Sequence, residues 1–127
     1  MAFKSVVSIN ISTPSGTLAR SKEYESSQVV EFDEAITVGT DRQVNATIDV
    51  SAVKVFYMVS DRTVTVQTND GSSPDDEFVL TAGVPRMWFV DCGEDFVLTT
   101  DVTEFFITNA SGGTANVKLR VLQDSTP

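Results

Sequence analysis

The 127-residue chain contains no histidine, one cysteine and one tryptophan, and it has half as many basic residues as acidic ones. Without histidine there is no imidazole to serve as a general base, to complete a Ser-His-Asp or Cys-His arrangement, or to hold a metal. The lone Cys92 makes no intramolecular disulfide and no thiolate metal site of the zinc-finger kind. It is flanked by Asp91, Gly93 and Glu94, and carboxylates nearby oppose the thiolate a nucleophile requires. Nine Lys and Arg against eighteen Asp and Glu give a net charge of −9 and a pI near 4.2. A surface of that sign repels both nucleic-acid phosphate and anionic lipid, so neither nucleic acid nor a membrane is an expected partner. Apolar runs reach four or five residues, against the ~20 a spanning helix needs. The opening Met1-Ala2-Phe3-Lys4-Ser5 lacks the basic and then apolar stretches of a secretory signal. With the unpaired Cys92, this predicts folding in a reducing cytoplasm.

What is present favours strands. Val and Thr occur 19 and 15 times and Leu only 5 times; β-branched side chains suit a pleated, half-buried surface. Apolar residues recur with period two: Phe3, Val7, Ile9 and Ile11; Val30 and Phe32; Val44, Ala46, Ile48 and Val50; Val64 and Val66; Val117, Leu119 and Val121. Nowhere does a 3.6-residue apolar repeat persist, and the best helical candidate, residues 18–26, has almost no apolar face. Eight or nine short strands with little or no helix are expected. Turn-forming residues separate them, notably at 69–76, 91–95 and 39–42. Asn109-Ala110-Ser111-Gly112-Gly113 reads as the loop of an antiparallel hairpin between residues 104–108 and 115–123. Residues 12–27, rich in Ser and holding Pro14 and Gly16, read as a long functional or mobile loop. The expected fold is one all-β domain over residues 1–127, an antiparallel β-sandwich that is jelly-roll-like.

Some strands are apolar in both phases. In residues 53–59, Phe56 and Met58 oppose Val53, Val55, Tyr57 and Val59; Met87-Trp88-Phe89-Val90 is apolar throughout; Phe106 falls out of phase with Phe105 and Ile107. Such side chains are either covered by the chain's own loops, residues 12–27 among them, or buried against another subunit. On the second reading Phe56, Met58, Met87, Trp88, Phe89 and Phe106 form a subunit or partner interface, where aromatics and Met are enriched. The acidic loops around 70–77 and 91–95 lack the spacing of an EF-hand, and solvated loops are the commoner outcome. Asn-X-Ser/Thr tripeptides at Asn10, Asn45 and Asn109 are expected by chance in a Ser- and Thr-rich chain. No base stands in motif with any Ser or Thr, so no catalytic residue, metal or cofactor is assigned and no enzyme is expected.

The C-terminal half carries a resemblance. A Thr-rich strand (Val64-Thr65-Val66-Gln67-Thr68) leads into Asn69-Asp70-Gly71-Ser72-Ser73-Pro74-Asp75-Asp76, then the apolar Phe78-Val79-Leu80. Ala82-Gly83-Val84-Pro85-Arg86-Met87-Trp88 follows, and later the closing run Thr108-Asn109-Ala110-Ser111-Gly112-Gly113. This order is similar to that of small structural proteins of tailed bacteriophages, and in role to capsid cement (decoration) proteins. The resemblance implies a virion location on the capsid surface, synthesis in the host cytoplasm, and binding between capsomers that stabilises the expanded head. It implies the major capsid protein or other virion proteins as partners, with self-association as a dimer or trimer. A tail, vertex or baseplate component is the nearest alternative. A carbohydrate-binding module for host attachment, using Trp88, Tyr24 or Tyr57, is another.

Overall fold

Ten β-strands and one 3-10 turn (Val50–Ala52) make up the computed structural model, which describes residues 3–124. Met1 and Ala2 of the opening stretch lie outside the described residues. The strands are β1 (Phe3–Thr13), β2 (Gly16–Ser26), β3 (Gln28–Ile36), β4 (Gly39–Ile48), β5 (Val53–Ser60), β6 (Val64–Thr68), β7 (Glu77–Leu80), β8 (Arg86–Phe89), β9 (Val102–Asn109) and β10 (Ala115–Gln123). Strands β3 to β10 form two four-stranded sheets, ordered β3-β10-β5-β8 (the β3 sheet) and β4-β9-β6-β7 (the β4 sheet). The antiparallel pairs β3·β10, β4·β9, β5·β8 and β6·β7 are nested. The chain is thus a long double ribbon, folded at β6–β7 and rolled into two layers, which is the winding of a jelly roll. The all-β sandwich expected from the strand pattern is the fold adopted.

Period two sets which side chains meet between the layers. Val44, Ala46 and Ile48 of β4, Val64 and Val66 of β6, Phe78 and Leu80 of β7, and Phe105 and Ile107 of β9 point inward from the β4 sheet. Phe56 and Met58 of β5 and Val117, Leu119 and Val121 of β10 meet them from the β3 sheet. Phe32 and Phe105 touch edge to face across the interface, with ring centroids 6.1 Å apart. Phe56 and Met58 are therefore core residues, and their assignment to an intersubunit surface is corrected. The outward phase of β5 belongs to Tyr57 and Val59, because each position on β5 shares the facing of its β10 partner and Leu119 and Val121 point inward.

Two further expectations change. Residues 104–108 and 115–123 are not the two arms of a hairpin: β9 lies in the β4 sheet and β10 in the β3 sheet. The segment between them crosses from one layer to the other, and Asn109, buried at its start, fixes the crossing. Its amide donates to the carbonyls of Ile36 and Gly113, each at 2.8 Å, and its oxygen accepts from the Ser111 N–H and hydroxyl at 3.0 and 2.6 Å. All four capacities of the side chain are used. Residues 12–27, expected as a loop, contain the whole of β2, an eleven-residue strand paired to β1. Its polar sequence hides it, because most of its length is held by a ladder, with a buried seat only at Tyr24 and Ser26.

Replacing Phe56 by Ala removes a fully buried ring and is expected to lower the unfolding free energy by about 3–5 kcal/mol, read from urea denaturation. A loss under about 1 kcal/mol would place Phe56 outside the core.

Candidate interaction surface

Strands β1 and β2 form a separate two-stranded sheet, paired without interruption from Phe3↔Ser26 to Thr13↔Gly16. Pro14 and Ser15 make the turn. Gly16 takes φ 134°, in the region glycine adopts without a Cβ clash. The Thr13 hydroxyl donates to the Gly16 carbonyl at 3.2 Å and accepts from the Ser15 N–H at 3.3 Å. At about 3.4 Å per residue the ribbon is roughly 35 Å long.

Directly opposed residues share a face, so the register sorts the hairpin in two. One face carries Lys4, Val6, Ser8, Asn10 and Ser12 opposite Glu25, Glu23, Ser21, Ala19 and Thr17; the Lys4 ammonium lies 3.8 Å from Glu23 and 3.5 Å from Glu25. The other face carries Ser5, Val7, Ile9 and Ile11 opposite Tyr24, Lys22, Arg20 and Leu18. At its root this second face seals an apolar row on the outside of the β3 sheet. Tyr24, with Val7, packs against Val29, Val55, Phe89 and Leu122. The Tyr24 and Phe89 ring centroids are 6.2 Å apart. Nearby, the Lys54 ammonium donates to the Glu25 carbonyl at 2.7 Å.

Beyond the root the same face continues with nothing over it among the described residues. Ile9 is 43% exposed, Ile11 55% and Leu18 74%. Arg20 and Lys22 lie among them, and among the described residues neither has an ion-pair partner; Lys22 sits 5.3 Å above the Tyr24 ring. The arm also differs in charge from the body. Of nine bases, Lys4, Arg20 and Lys22 are on β1–β2, and of eighteen acids only Glu23 and Glu25, leaving six bases against sixteen acids on the rest. An apolar, cationic face on a projecting ribbon is the surface most suited to a partner. Sequence reading missed it because Arg20 and Lys22 stand in the same phase as Leu18 and Tyr24, so no apolar alternation runs through β2. The Pro14-Ser15-Gly16 turn between two period-two segments was the available signal.

The six residues expected at an interface do not come together. Phe56 and Met58 are in the core. Trp88 faces inward, stacked on Phe96 at 4.7 Å, and its indole N–H donates to the Glu94 carbonyl at 2.9 Å. Phe89 lies beneath the arm's root, against Tyr24. Met87, 45% exposed, lies outward on β8 and lines a hollow of about 280 Å³ with Val7, Tyr57 and Arg120, where the arm leaves the sheet. Phe106 is half-buried on the outside of the β4 sheet, between Gln43 and Gln67.

The acidic loops hold the chain. Asp76 accepts from the Thr99 N–H at 2.8 Å, the Thr99 hydroxyl at 2.7 Å and the Thr100 N–H at 3.3 Å, fastening the 90–101 segment to the β6–β7 loop. Asn69 does the same for Thr103, whose N–H reaches it at 2.8 Å. Asp70 accepts from Ser72 and Ser73, and those hydrogen bonds hold its carboxyl below the usual carboxylate range. Asp61 accepts from the backbone and side-chain N–H groups of Asn116, both at 2.8 Å, which lowers its pKa as well. Arg120 holds Asp33 low by a hydrogen bond at 2.9 Å. Among the described residues no three metal-ligating side chains stand together. Neither is any helix among them long and apolar enough to cross a membrane.

Comparison with protein-family models, with curated proteins and with solved structures finds no match.

Carboxylates held low in the folded state stabilise it above the usual carboxylate range, and that contribution is lost as pH falls through their lowered values. Asp61→Asn should therefore melt below wild type at neutral pH, with the difference closing on acidification; a pH-independent difference would refute the role given to the ionised form. Replacing residues 9–20 by a short turn should leave the urea midpoint of the body almost unchanged, since nothing beyond the root is buried. A large loss of stability would show the outer arm to be part of the fold.

Proposed function

We propose that this chain is a non-enzymatic structural protein of a bacteriophage virion: a capsid cement protein, made in the host cytoplasm, that sits on the outside of the head between capsomers. The observation that carries this reading is the arm, an uninterrupted ribbon whose apolar, cationic face has, beyond its root, no cover among the described residues. A side chain such as Leu18 left in water forgoes about 1.5–3 kcal/mol of burial, and a row of them on a projecting element suits a protein built to be covered by a neighbour. Three features support it further: the strand-and-loop order of the C-terminal half, a jelly-roll frame of the kind found in capsid and lectin domains, and the acidity of the body, which keeps a protein of high copy number soluble and away from packaged nucleic acid.

The mechanism is linkage. A protein that binds only the expanded lattice stabilises that lattice by the free energy of binding. Repetition over many equivalent sites lets weak individual contacts hold. Such work needs exposed edges and apolar faces; it needs no reacting group. A shared sugar-binding platform draws no support from the three candidate aromatics, because Tyr24 is buried at the arm's root, Trp88 is stacked inward and hydrogen-bonded, and Tyr57 is left alone in the hollow beside Met87.

Quantitative mass spectrometry of purified particles tests the reading. Copy numbers comparable to the major shell protein are expected. A dozen or fewer would replace cement by a vertex, tail or baseplate role, and absence from particles would remove the virion altogether. A chain lacking residues 9–20 should fold and fail to mount on expanded heads.

A further inference from the structure

The arm is rooted on the outside of the β3 sheet, and the outside of the β4 sheet is the opposite surface of the molecule. That opposite surface has a complementary composition. Its central row, Gln43, Phe106, Gln67 and Glu77, runs across all four strands, with Asn45 and Glu104 beside it. Phe106 and the 45% exposed Val79 give it an apolar centre. Glu77 accepts from the Gln67 amide at 2.7 Å and Glu104 accepts from the Gln43 amide. Neither carboxylate has a cationic partner among the described residues, and the one base on these four strands is Arg42, in the irregular start of β4.

From this we infer that the arm's partner is a second copy of this chain: the Ile9–Ile11–Leu18 face of one arm lies over Phe106 and Val79 on the β4 sheet of the next copy, with Arg20 and Lys22 against Glu77 and Glu104. The inference rests on the reading of the arm as an assembly surface and names what covers it. Charge favours arm against the β4 sheet over arm against arm. Arm against arm brings Arg20 and Lys22 of both copies together, whereas arm against the β4 sheet pairs each cation with a carboxylate. The geometry also sets the symmetry. Donor and acceptor lie on opposite surfaces, so the contact is heterologous and repeats from copy to copy, closing into a ring or running on as a chain. The free part of the ribbon is about 20 Å long. Its footprint of a few hundred Å² is well under the ~800 Å² per partner of a stable complex. Each contact is accordingly weak, and copies gather through concentration or a shared surface.

Sedimentation velocity of the full chain over a wide concentration range, at low and high salt, tests this. Wild type should self-associate with concentration, and less so as the Debye length falls from about 30 to about 3 Å. Two charge reversals, the arm variant Arg20→Glu/Lys22→Glu and the sheet variant Glu77→Lys/Glu104→Lys, should each weaken association at least about tenfold. An equimolar mixture should regain it, since each variant's arm then meets a β4 sheet of opposite sign. Growth of the mixture beyond 1:1 pairs also shows that both altered surfaces are folded, since a single pair can form through the unaltered arm and the unaltered sheet. A wild type that stays monomeric throughout would overturn the assignment, as would an arm reversal that acts while the sheet reversal does nothing. A monomeric protein that still mounts on particles through its arm overturns the second copy as occupant and leaves the assembly reading standing. Association in solution with no particle binding supports the contact and counts against the virion.

Discussion

A β-strand sends alternate side chains to opposite faces, and a two-layer sandwich has one interior. Every apolar residue in the outward phase must be covered by something other than the opposing sheet. Most of this molecule follows from how that constraint is met. On the β3 sheet the outward row Val29, Leu122, Val55 and Phe89 is covered by the root of the hairpin arm, through Tyr24 and Val7. On the β4 sheet the outward positions are mostly Gln, Asn, Thr and Glu, which need no cover, with Phe106 and Val79 left over. The arm meets the constraint least well, having two faces and no second layer beyond its root.

A two-stranded ribbon is marginal in water, because each strand has one neighbour and neither face is buried. Here the ladder is anchored by the Tyr24 seat, the Lys54 contact and the body of the sandwich, and its support declines toward the Pro14-Ser15 turn. Such an element is stable at one end and inexpensive to rearrange at the other. It can therefore adapt to a surface while its direction stays fixed by the root. The same division appears in charge, with the cations of the arm set against a strongly acidic body. On the proposed contact, attraction between arm and body of different copies and repulsion between bodies together favour one mode of contact over indiscriminate clustering.

The sandwich was readable from sequence because its strands bury one phase, and burial writes itself as alternation: Val44, Ala46, Ile48 and Val117, Leu119, Val121 are plain. Strand β2 was not, because it is held by backbone pairing along most of its length and by a buried side chain only at its root, Tyr24, so Gly16–Ser26 shows little apolar alternation. Residues 104–123 misled for a different reason. A Gly-rich turn looks the same whether the next strand returns in its own sheet or crosses to the other, and only the buried Asn109 bonds distinguish them. The doubly apolar segment 53–59 shows that both of its faces are covered, but not which of them is the interior. Which phase faces inward depends on β10, sixty residues away and invisible to local periodicity. Of the expected interface residues, Met87 and Phe106 remain at the surface, while the stronger surface lies on an arm of which the sequence pattern shows the first strand and not the second.

The central claim is that the outer arm is paired but only marginally stable while uncovered in the isolated chain, and is covered in the assembled one. Hydrogen–deuterium exchange, followed by residue in dilute protein and again in the assembled state, measures this directly. The account predicts fast exchange at the ladder amides of residues 8–13 and 16–21 in dilute protein, slow exchange at the root around Tyr24 in both states, and strong slowing of the outer arm on assembly. Outer-arm exchange that is already slow in the dilute chain, or unchanged by assembly, would contradict it.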